Sequence, residues 1–182
     1  MKNLKEFPHI ETKRLVLREL HEDDLLSYHQ LFSDERVLRY YGLKPKKEPS
    51  ELLGRLNRMV KLFPKQGIRF AICLRNTDRL IGTIGFKYWD SRSKKSEISY
   101  DLVPQYWNKG YMTEALQAVT EFGFSFDLNR IEAWVMTEND ASGKVLEKCG
   151  YKSEGIHRES MMWNGKYRDL EWFSILKSDR SK

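Results

Sequence analysis

A glycine-bearing loop between a strand-like and a helix-like segment constrains the fold of this chain more than any other feature. Residues 96–103 alternate side chains with the period of two that is typical of a β-strand. Residues 113–126 carry apolar side chains with a period of 3.6, which predicts a helix. The turn between them contains Asn108 and Gly110. Together with the strand and helix that follow, this order predicts an α/β chain in which helices pack on a sheet.

The rest of the chain continues the alternation of strands and helices. Further strands are predicted at residues 14–19, 69–74, 80–88, 131–136, 153–162 and 166–176. Polar turns separate the strands between residues 69 and 103, which indicates consecutive antiparallel pairing. Asn164-Gly165 predicts a two-residue hairpin between the last two strands. No repeat or linker interrupts the series, so we expect a single domain over residues 1–182.

Three further helices are predicted. The first is capped by Asp23 or Asp24 and followed by a short turn through Asp34, and another spans residues 141–149 before Gly150. The remaining one starts near Ser50 and is ended by Pro64 and Gly67. Its apolar face is expected to consist of Leu52, Leu53, Leu56, Met59, Val60 and Phe63.

Composition excludes several classes of protein. No stretch approaches the roughly 20 apolar residues of a membrane span, and the N-terminus has no signal core, so we expect a cytoplasmic protein without membrane contact. Cys73 and Cys149 have no metal-type or disulfide spacing, which favours buried free thiols and no metal site. The net charge is +6, but basic residues are scattered among acidic ones, so no direct nucleic-acid binding is expected.

The loop before the helix at residues 113–126 has the chemistry of an anion site. The first amides of a helix have no carbonyl partner and carry the positive end of the helix dipole, which suits a pyrophosphate. Gly110 allows a close backbone approach, and Asn108 tolerates a left-handed conformation. On these grounds alone, an ordinary helix start remains an equal alternative.

This stretch resembles the acetyl-CoA motif of the GNAT superfamily of acyltransferases, Gln/Arg-x-x-Gly-x-Gly/Ala, with Gln105, Asn108 and Gly110 at the key positions. Asn108 departs from the family's first glycine. The flanking Tyr106-Trp107 and residues 111–116 resemble the RimJ/RimL-like branch, the ribosomal-protein N-acetyltransferases, as does the opening at residues 11–15. The resemblance implies acetyl-CoA as cosubstrate. It also implies contacts to the coenzyme from Leu102, Val103, Gln105, Asn108, Lys109, Gly110, Tyr111, Met112 and Thr113.

A second motif lies at residues 139–151 and resembles the family's Asn-x-x-Ala/Ser element followed by Glu-Lys-x-Gly-Phe/Tyr. From its chemistry Asn139 is an acceptable helix N-cap, and Ser142 is a hydroxyl one turn later. The resemblance implies that both residues contact the coenzyme and that Ser142 stabilises or protonates the departing thiolate. Many members carry a tyrosine for that role at the position of Leu146, and this chain does not.

The strand before the loop offers a candidate general base. Its period of two places Glu97, Ser99 and Asp101 on one face and Tyr100 on the other. Glu97 matches a glutamate frequent in the branch and is the preferred base, directly or through a water. For Asp101, a solvated strand face or pairing with a nearby lysine is favoured over catalysis. The resemblance further implies that the backbone of Leu102 and Val103 pairs with the pantetheine arm like an added strand. A buried strand end that packs normally is the alternative.

The last hairpin carries His157, Arg158, Trp163 and Tyr167. A histidine is a common acid or base, but no partner for this one can be read from the sequence. A surface histidine and core aromatic residues are therefore expected.

The implied fold is a mixed, mostly antiparallel sheet of six to seven strands with about four helices, and the implied function is N-acetylation of an amine. Direct transfer in a ternary complex is expected because the sequence has no nucleophile motif. A protein N-terminal amine is the leading acceptor, although relatives also acetylate small amines, and the acceptor site would be built by residues 24–66. Exposed terminal strands could support a homodimer. A non-catalytic acyl-CoA-binding module, and less so a nucleic-acid-binding protein, are the alternatives.

Overall fold

The structure is a computed structural model that describes residues 6–41, 44–62 and 67–180, with the backbone alone for residues 58–62. Of the two residues predicted to end the helix that starts near Ser50, Pro64 lies outside the described residues, as does the end of the predicted acceptor region, whereas Gly67 is described and begins a strand. Along the described part of the chain, no helix is long and apolar enough to cross a membrane.

The described strands form one mixed sheet, as predicted. They are β1 (Ile10–Glu11), β2 (Leu15–Arg18), β3 (Gly67–Leu74), β4 (Leu80–Asp90), β5 (Lys95–Leu102), β6 (Arg130–Met136), β7 (Lys152–Trp163) and β8 (Lys166–Leu176). Their order across the sheet is β1-β2-β3-β4-β5-β6-β8-β7. All seven expected strands are confirmed, and the additional strand is the two-residue β1.

The pairing of β5 with β6 is parallel and short, whereas the other neighbours in the sheet are antiparallel. It joins residues 95–97 to residues 130–132 and then stops. Beyond this point β5 continues beside β4 as far as Leu102, and β6 continues beside β8 as far as Met136. The two strands therefore diverge and leave a gap in the sheet.

Five α-helices occur among the described residues: α1 (Leu25–Ser33), α2 (Glu35–Leu38), α3 (Ser50–Leu62), α4 (Tyr111–Ser125) and α5 (Asp140–Lys148). Four of them were expected. The unexpected α2 is a single turn where only a turn through Asp34 was predicted, and it forms because the Asp34 side chain accepts a hydrogen bond from the Arg36 amide.

The helices cover the two faces of the sheet. One buried cluster joins α4 to the sheet through side chains such as Leu116, Val119 and Phe70. The other places α1, α2 and α3 over the opposite face, with Phe32 and Leu56 buried between them. Each such buried side chain contributes about 1.5–3 kcal/mol to folding.

Three of the six residues predicted for the apolar face of α3 have described side chains. Leu52 and Leu56 are buried one turn apart, as predicted, but Leu53 is 36% exposed, which corrects the prediction for this residue. Leu52 and Leu56 share one row of the helix surface, and Leu53 lies beside that row. The side chains of Met59, Val60 and Phe63 lie outside the described residues.

The last hairpin turns as predicted, with Asn164 and Gly165 both at positive φ (48° and 75°). Tyr167 was expected in the core, and this prediction is wrong because its side chain is 62% exposed. It lies opposite Met162, which is also exposed, near the hairpin turn. The edge strand β7 is exposed along residues 152–160.

Candidate functional site

A cavity of about 830 Å³ lies where β5 and β6 diverge. Its size falls in the range of small-molecule sites in proteins. Both predicted catalytic residues, Glu97 and Ser142, line it, together with Asn139. Its wall is rich in aromatic side chains, namely Tyr40, Tyr41, Phe86, Tyr88, Trp89, Tyr100, Trp134 and Trp163.

The start of α5 places Ser142 in the cavity wall. Asn139 is the N-cap of this helix, and its Oδ1 accepts a hydrogen bond from the Ser142 amide at 3.4 Å. The Ser142 hydroxyl lies 2.9 Å from the hydroxyl of Tyr100 on β5, and the same phenol lies 3.1 Å from the Ser142 carbonyl oxygen. A hydrogen-bonded pair of hydroxyl groups therefore bridges the two sides of the gap.

Tyr100 is a candidate site residue that the sequence reasoning missed. The period of two placed it on the strand face opposite Glu97, yet both side chains line the cavity. This is possible because β6 leaves β5 after residue 97, so the gap gives access to both strand faces. Burial raises the pKa of Tyr100 well above its usual range, and the hydrogen bond with Ser142 offsets only part of this shift. At neutral pH the phenol is therefore protonated.

Glu97 lies on β5 where the pairing with β6 ends. Its Oε1 is 2.7 Å from Nζ of Lys87 on β4, and its side chain is 13% exposed. Lys87 Nζ also lies 5.6 Å from the centre of the Trp134 ring. The carboxylate is thus held in position within an aromatic wall, within reach of a cavity ligand.

Asp101 is buried, and its carboxylate oxygens accept hydrogen bonds from three side chains. Its Oδ2 accepts from Arg69 Nη2 and from the Tyr41 hydroxyl, each at 2.6 Å, and its Oδ1 accepts from the Thr83 hydroxyl at 2.7 Å. A solvated position or a lysine partner was expected for Asp101, and both expectations are wrong, because the side chain is buried and pairs with Arg69. Burial and the Asp101 charge hold the pKa of Tyr41 well above its usual range, so this phenol remains a donor. The network is structural and anchors β5 to β3 and β4.

The loop after β5 has the conformation expected of an anion site. Gly110 (φ 75°) and Asn108 (φ 58°) are both left-handed, as their residue types predicted. The amide of Glu114 bonds to Gly110 O, so the amides of Tyr111, Met112 and Thr113 precede the first intrahelical bonds of α4. The Met112 side chain is buried in the core, which leaves its amide as the group available to a ligand.

These amides and the positive end of the α4 dipole fit the pyrophosphate of coenzyme A. The other predicted loop contacts, Gln105 and Lys109, are exposed beside them. Lys109 Nζ lies 5.9 Å from the centre of the Tyr106 ring.

The loop is braced by Arg14, a residue that the sequence reasoning placed on the first strand without a role. Its Nη1 donates to Lys109 O at 2.9 Å, and its guanidinium carbon lies 4.3 Å from the centre of the Tyr111 ring. Its Nε donates to Glu114 Oε2 at 2.6 Å, while Thr12 Oγ1 donates to Glu114 Oε1 at 2.7 Å. Burial raises the pKa of Glu114, but these hydrogen bonds outweigh it and the net pKa is lowered.

Leu102 and Val103, the two residues predicted to pair with a pantetheine arm, direct their backbone groups to opposite sides of the strand. The Val103 amide donates to Ile81 O at 2.8 Å, so Val103 faces β4. Neighbouring residues of a strand alternate in the direction of their backbone groups, so Leu102 faces the open side of the gap. There its carbonyl oxygen accepts a hydrogen bond from Trp107 Nε1 at 2.6 Å, and its amide points to the same side of the strand.

The remaining candidates divide between surface and core. His157 is exposed and stacks near Trp172, with ring centres 5.3 Å apart, whereas Trp163 turns into the cavity wall. Cys73 and Cys149 are buried free thiols, as predicted. Burial raises the pKa of Cys73 to about 12 and that of Cys149 to about 11, so both stay neutral thiols. Within the described residues, no group of three or more His, Cys, Asp or Glu side chains could hold a metal ion.

Comparison with known proteins agrees with this geometry. The family model for the acetyltransferase (GNAT) domain matches residues 14–152. The uncharacterized N-acetyltransferase YoaA of Bacillus subtilis strain 168 is 38% identical over 173 residues, covering 94% of this chain and 98% of that protein. The ribosomal protein uS5 alanine N-acetyltransferase of Escherichia coli K12 is 28% identical over 172 residues, covering 88% and 86%.

Among solved structures, a GNAT-family acetyltransferase from Bacillus anthracis superimposes with a TM-score of 0.85 at 27% identity, covering 94% of this chain and 99% of that one. The shared fold and the family match together show that the chain belongs to the GNAT family of acetyltransferases.

Proposed function

We propose that this protein, as a RimJ/RimL-like member of its family, transfers an acetyl group from acetyl-CoA to a primary amine by direct attack in a ternary complex. The observation that carries the proposal is the pair of hydroxyl groups, Ser142 and Tyr100, in a cavity whose β5 wall runs into the amide-rich loop. The acceptor amine is either a protein N-terminus or a small amine, and the uS5-modifying relative supports the first.

The coenzyme supplies the acetyl group as a thioester. Its pyrophosphate would be held by the amides of Tyr111, Met112 and Thr113, with the loop from Gln105 to Gly110 around it. Asn139 and the open-edge amide of Leu102 are the polar groups for the arm that leads into the cavity. Because Val103 turns its amide toward Ile81, we assign no contact to that amide.

Two cavity residues, Glu97 and Ser142, then each take part in one proton transfer. Glu97 accepts a proton from the substrate ammonium, directly or through a water, and later releases it to solvent. The neutral nitrogen attacks the thioester carbon to form the new C–N bond. As the C–S bond breaks, the nitrogen loses a second proton to solvent, which leaves the neutral amide. Ser142 gives its hydroxyl proton to the departing sulfur and regains one from solvent, while the Tyr100 phenol positions the Ser142 oxygen by its hydrogen bond.

The cysteines support direct transfer rather than an acyl-enzyme. A cysteine nucleophile reacts as the thiolate, and burial keeps both thiols neutral. Neither Cys73 nor Cys149 lines the cavity. The nitrogen of the acceptor is thus the nucleophile in this mechanism.

Calorimetric titration with acetyl-CoA tests the coenzyme site. Lys109→Glu places a negative charge beside the loop amides and should abolish most of the binding seen with the unaltered protein. Lys166→Glu, an exposed position at the far hairpin, makes the same charge change and should bind normally. If the folded, unaltered protein shows no binding, the proposal is wrong. Binding without acetyl transfer to any amine would instead favour a non-catalytic acyl-CoA-binding module.

A further inference from the structure

We propose that the acceptor carries an anionic group beside an apolar or aromatic body, and that Arg55 binds that anion. The inference rests on the proposed function, because it concerns the acceptor end of the same cavity. It names a specificity-determining residue on α3 and a substrate class, a primary amine that also bears a carboxylate.

Arg55 lines the cavity with its charge unpaired among the described residues. Its Nε donates to the Tyr28 hydroxyl at 3.1 Å, and its guanidinium carbon lies 4.4 Å from the centre of the Phe32 ring. These contacts fix the plane of the group and leave the terminal nitrogens for a ligand. The segments outside the described residues contain no Asp or Glu, so they supply no side-chain carboxylate. A planar guanidinium held in this way suits a carboxylate, which it can bind with two parallel hydrogen bonds.

The charges of the cavity wall do not cancel. Arg69 is neutralised by Asp101, with 2.6 Å between the charged atoms, and Lys87 is neutralised by Glu97 at 2.7 Å. Arg55 is left as a net positive charge. In a partly buried site such a charge is screened less than at the surface, so it attracts an anion and disfavours a polycation.

The aromatic wall indicates the body of the acceptor. Phe86, Trp89, Trp134 and Trp163 offer apolar surface to a ligand. An aromatic or large apolar amino acid with a free α-amine combines these properties.

The test measures acetylation of matched amines by the full chain with saturating acetyl-CoA. Two pairs differ by the carboxylate alone, phenylalanine with phenethylamine and tryptophan with tryptamine, and spermidine serves as the polycation. We expect the carboxylated amine of each pair to have the higher kcat/KM. Arg55→Met should raise the KM of the carboxylated amines by about tenfold, the equivalent of one lost charge-assisted hydrogen bond, and leave their partners unchanged. Arg55→Lys, which keeps the charge, should restore much of the difference.

Each comparison has its own control. Arg92→Met removes an exposed arginine that does not line the cavity and should change neither KM. The two amines of a pair differ in their ammonium pKa. This difference cancels when the ratio of their kcat/KM values in the Arg55 variant is compared with the same ratio in the unaltered protein. A higher kcat/KM for spermidine or for the carboxyl-free amines would overturn the inference. So would an Arg55→Met variant in which the ratio of kcat/KM between the carboxylated amine and its partner is the same as in the unaltered protein. Acetyl-CoA binding without transfer to any amine would instead contradict the proposed function.

Discussion

The hydroxyl oxygens of Tyr100 and Ser142 lie 2.9 Å apart, and this contact joins β5 to α5 across the gap in the sheet. Tyr100 remains protonated at neutral pH because burial raises its pKa. A phenol that stays protonated can hold the serine hydroxyl in one orientation without competing for the proton that leaves it. The two residues therefore have separable roles, one in proton transfer and one in positioning.

Substitution should separate these roles. We expect Ser142→Ala to lower kcat by about 100-fold or more, the usual range for loss of a general acid. Tyr100→Phe should lower kcat less, by about tenfold, since one orienting hydrogen bond is lost. The dissociation constant of acetyl-CoA, measured by calorimetry, should stay nearly constant in both variants. A Tyr100→Phe variant as impaired as Ser142→Ala would indicate that the phenol itself delivers the proton.

The contact of Arg14 with the Lys109 carbonyl predicts an effect on coenzyme affinity. Arg14→Met removes this hydrogen bond and the ion pair with Glu114, so the loop loses its brace and acetyl-CoA should bind about tenfold more weakly. Arg75→Met is a matched control, since Arg75 pairs with Glu11 and donates to the Thr12 carbonyl without touching the loop. Equal affinity losses in the two variants would mean that the brace has no specific role.

The buried Asp101 predicts a large loss of stability. Asp101→Asn leaves Arg69 as a buried charge without a counter-ion, which costs about 3–5 kcal/mol. The free energy of unfolding in urea measures this cost. The double variant Arg69→Met/Asp101→Asn should recover part of it, because the unpaired charge is then removed. Failure of the double variant to recover any stability would show that the polar network, rather than the charge, carries the effect.

The Glu154 carboxylate predicts a pH dependence of stability. Hydrogen bonds from Arg130 and from Ser174 lower the pKa of Glu154 to about 2 from its ordinary value of 4.5. Because the folded-state pKa is the lower one, this contribution is present above pH 4.5 and is lost as the pH falls toward 2. The side chain is partly exposed, so solvent screening limits the contribution to about 1 kcal/mol or less.

Urea unfolding of Glu154→Gln across that pH range checks this prediction. The variant should show a flatter dependence than the unaltered protein below pH 4.5 and little difference in slope at neutral pH. An identical slope for both proteins between pH 4.5 and 2 would rule out a contribution from this carboxylate.

The order of strands and helices could be predicted because it depends on local patterns. The period change between β5 and α4, the Asn164-Gly165 turn and the left-handed Asn108 and Gly110 all follow from residue type and spacing. Helix α2 could not be predicted in this way, because it is a single turn whose apolar residues Val37 and Leu38 become buried only in the folded chain.

The candidate site was predicted where a family motif covers it and missed where it depends on tertiary contacts. Glu97, Asn139 and Ser142 line one cavity, although they come from distant positions in the chain. The contact of Arg14 with Lys109 spans 95 residues, and no local pattern indicates it. Arg55 likewise belongs to an amphipathic helix, where an arginine is usually a solvated residue.

The three-residue pairing of β5 with β6 divides the sheet into two antiparallel halves, residues 10–102 and residues 130–176. Within each half, most neighbouring strands are paired over more residues than this. The three residue pairs between β5 and β6, here called the seam, are the strand pairing that joins the two halves. The angle between the halves at the seam fixes the width of the cleft and thus the separation of Tyr100 from Ser142. A substitution at residues 95–97 or 130–132 can therefore alter the geometry of the cleft without touching any residue that lines its far end.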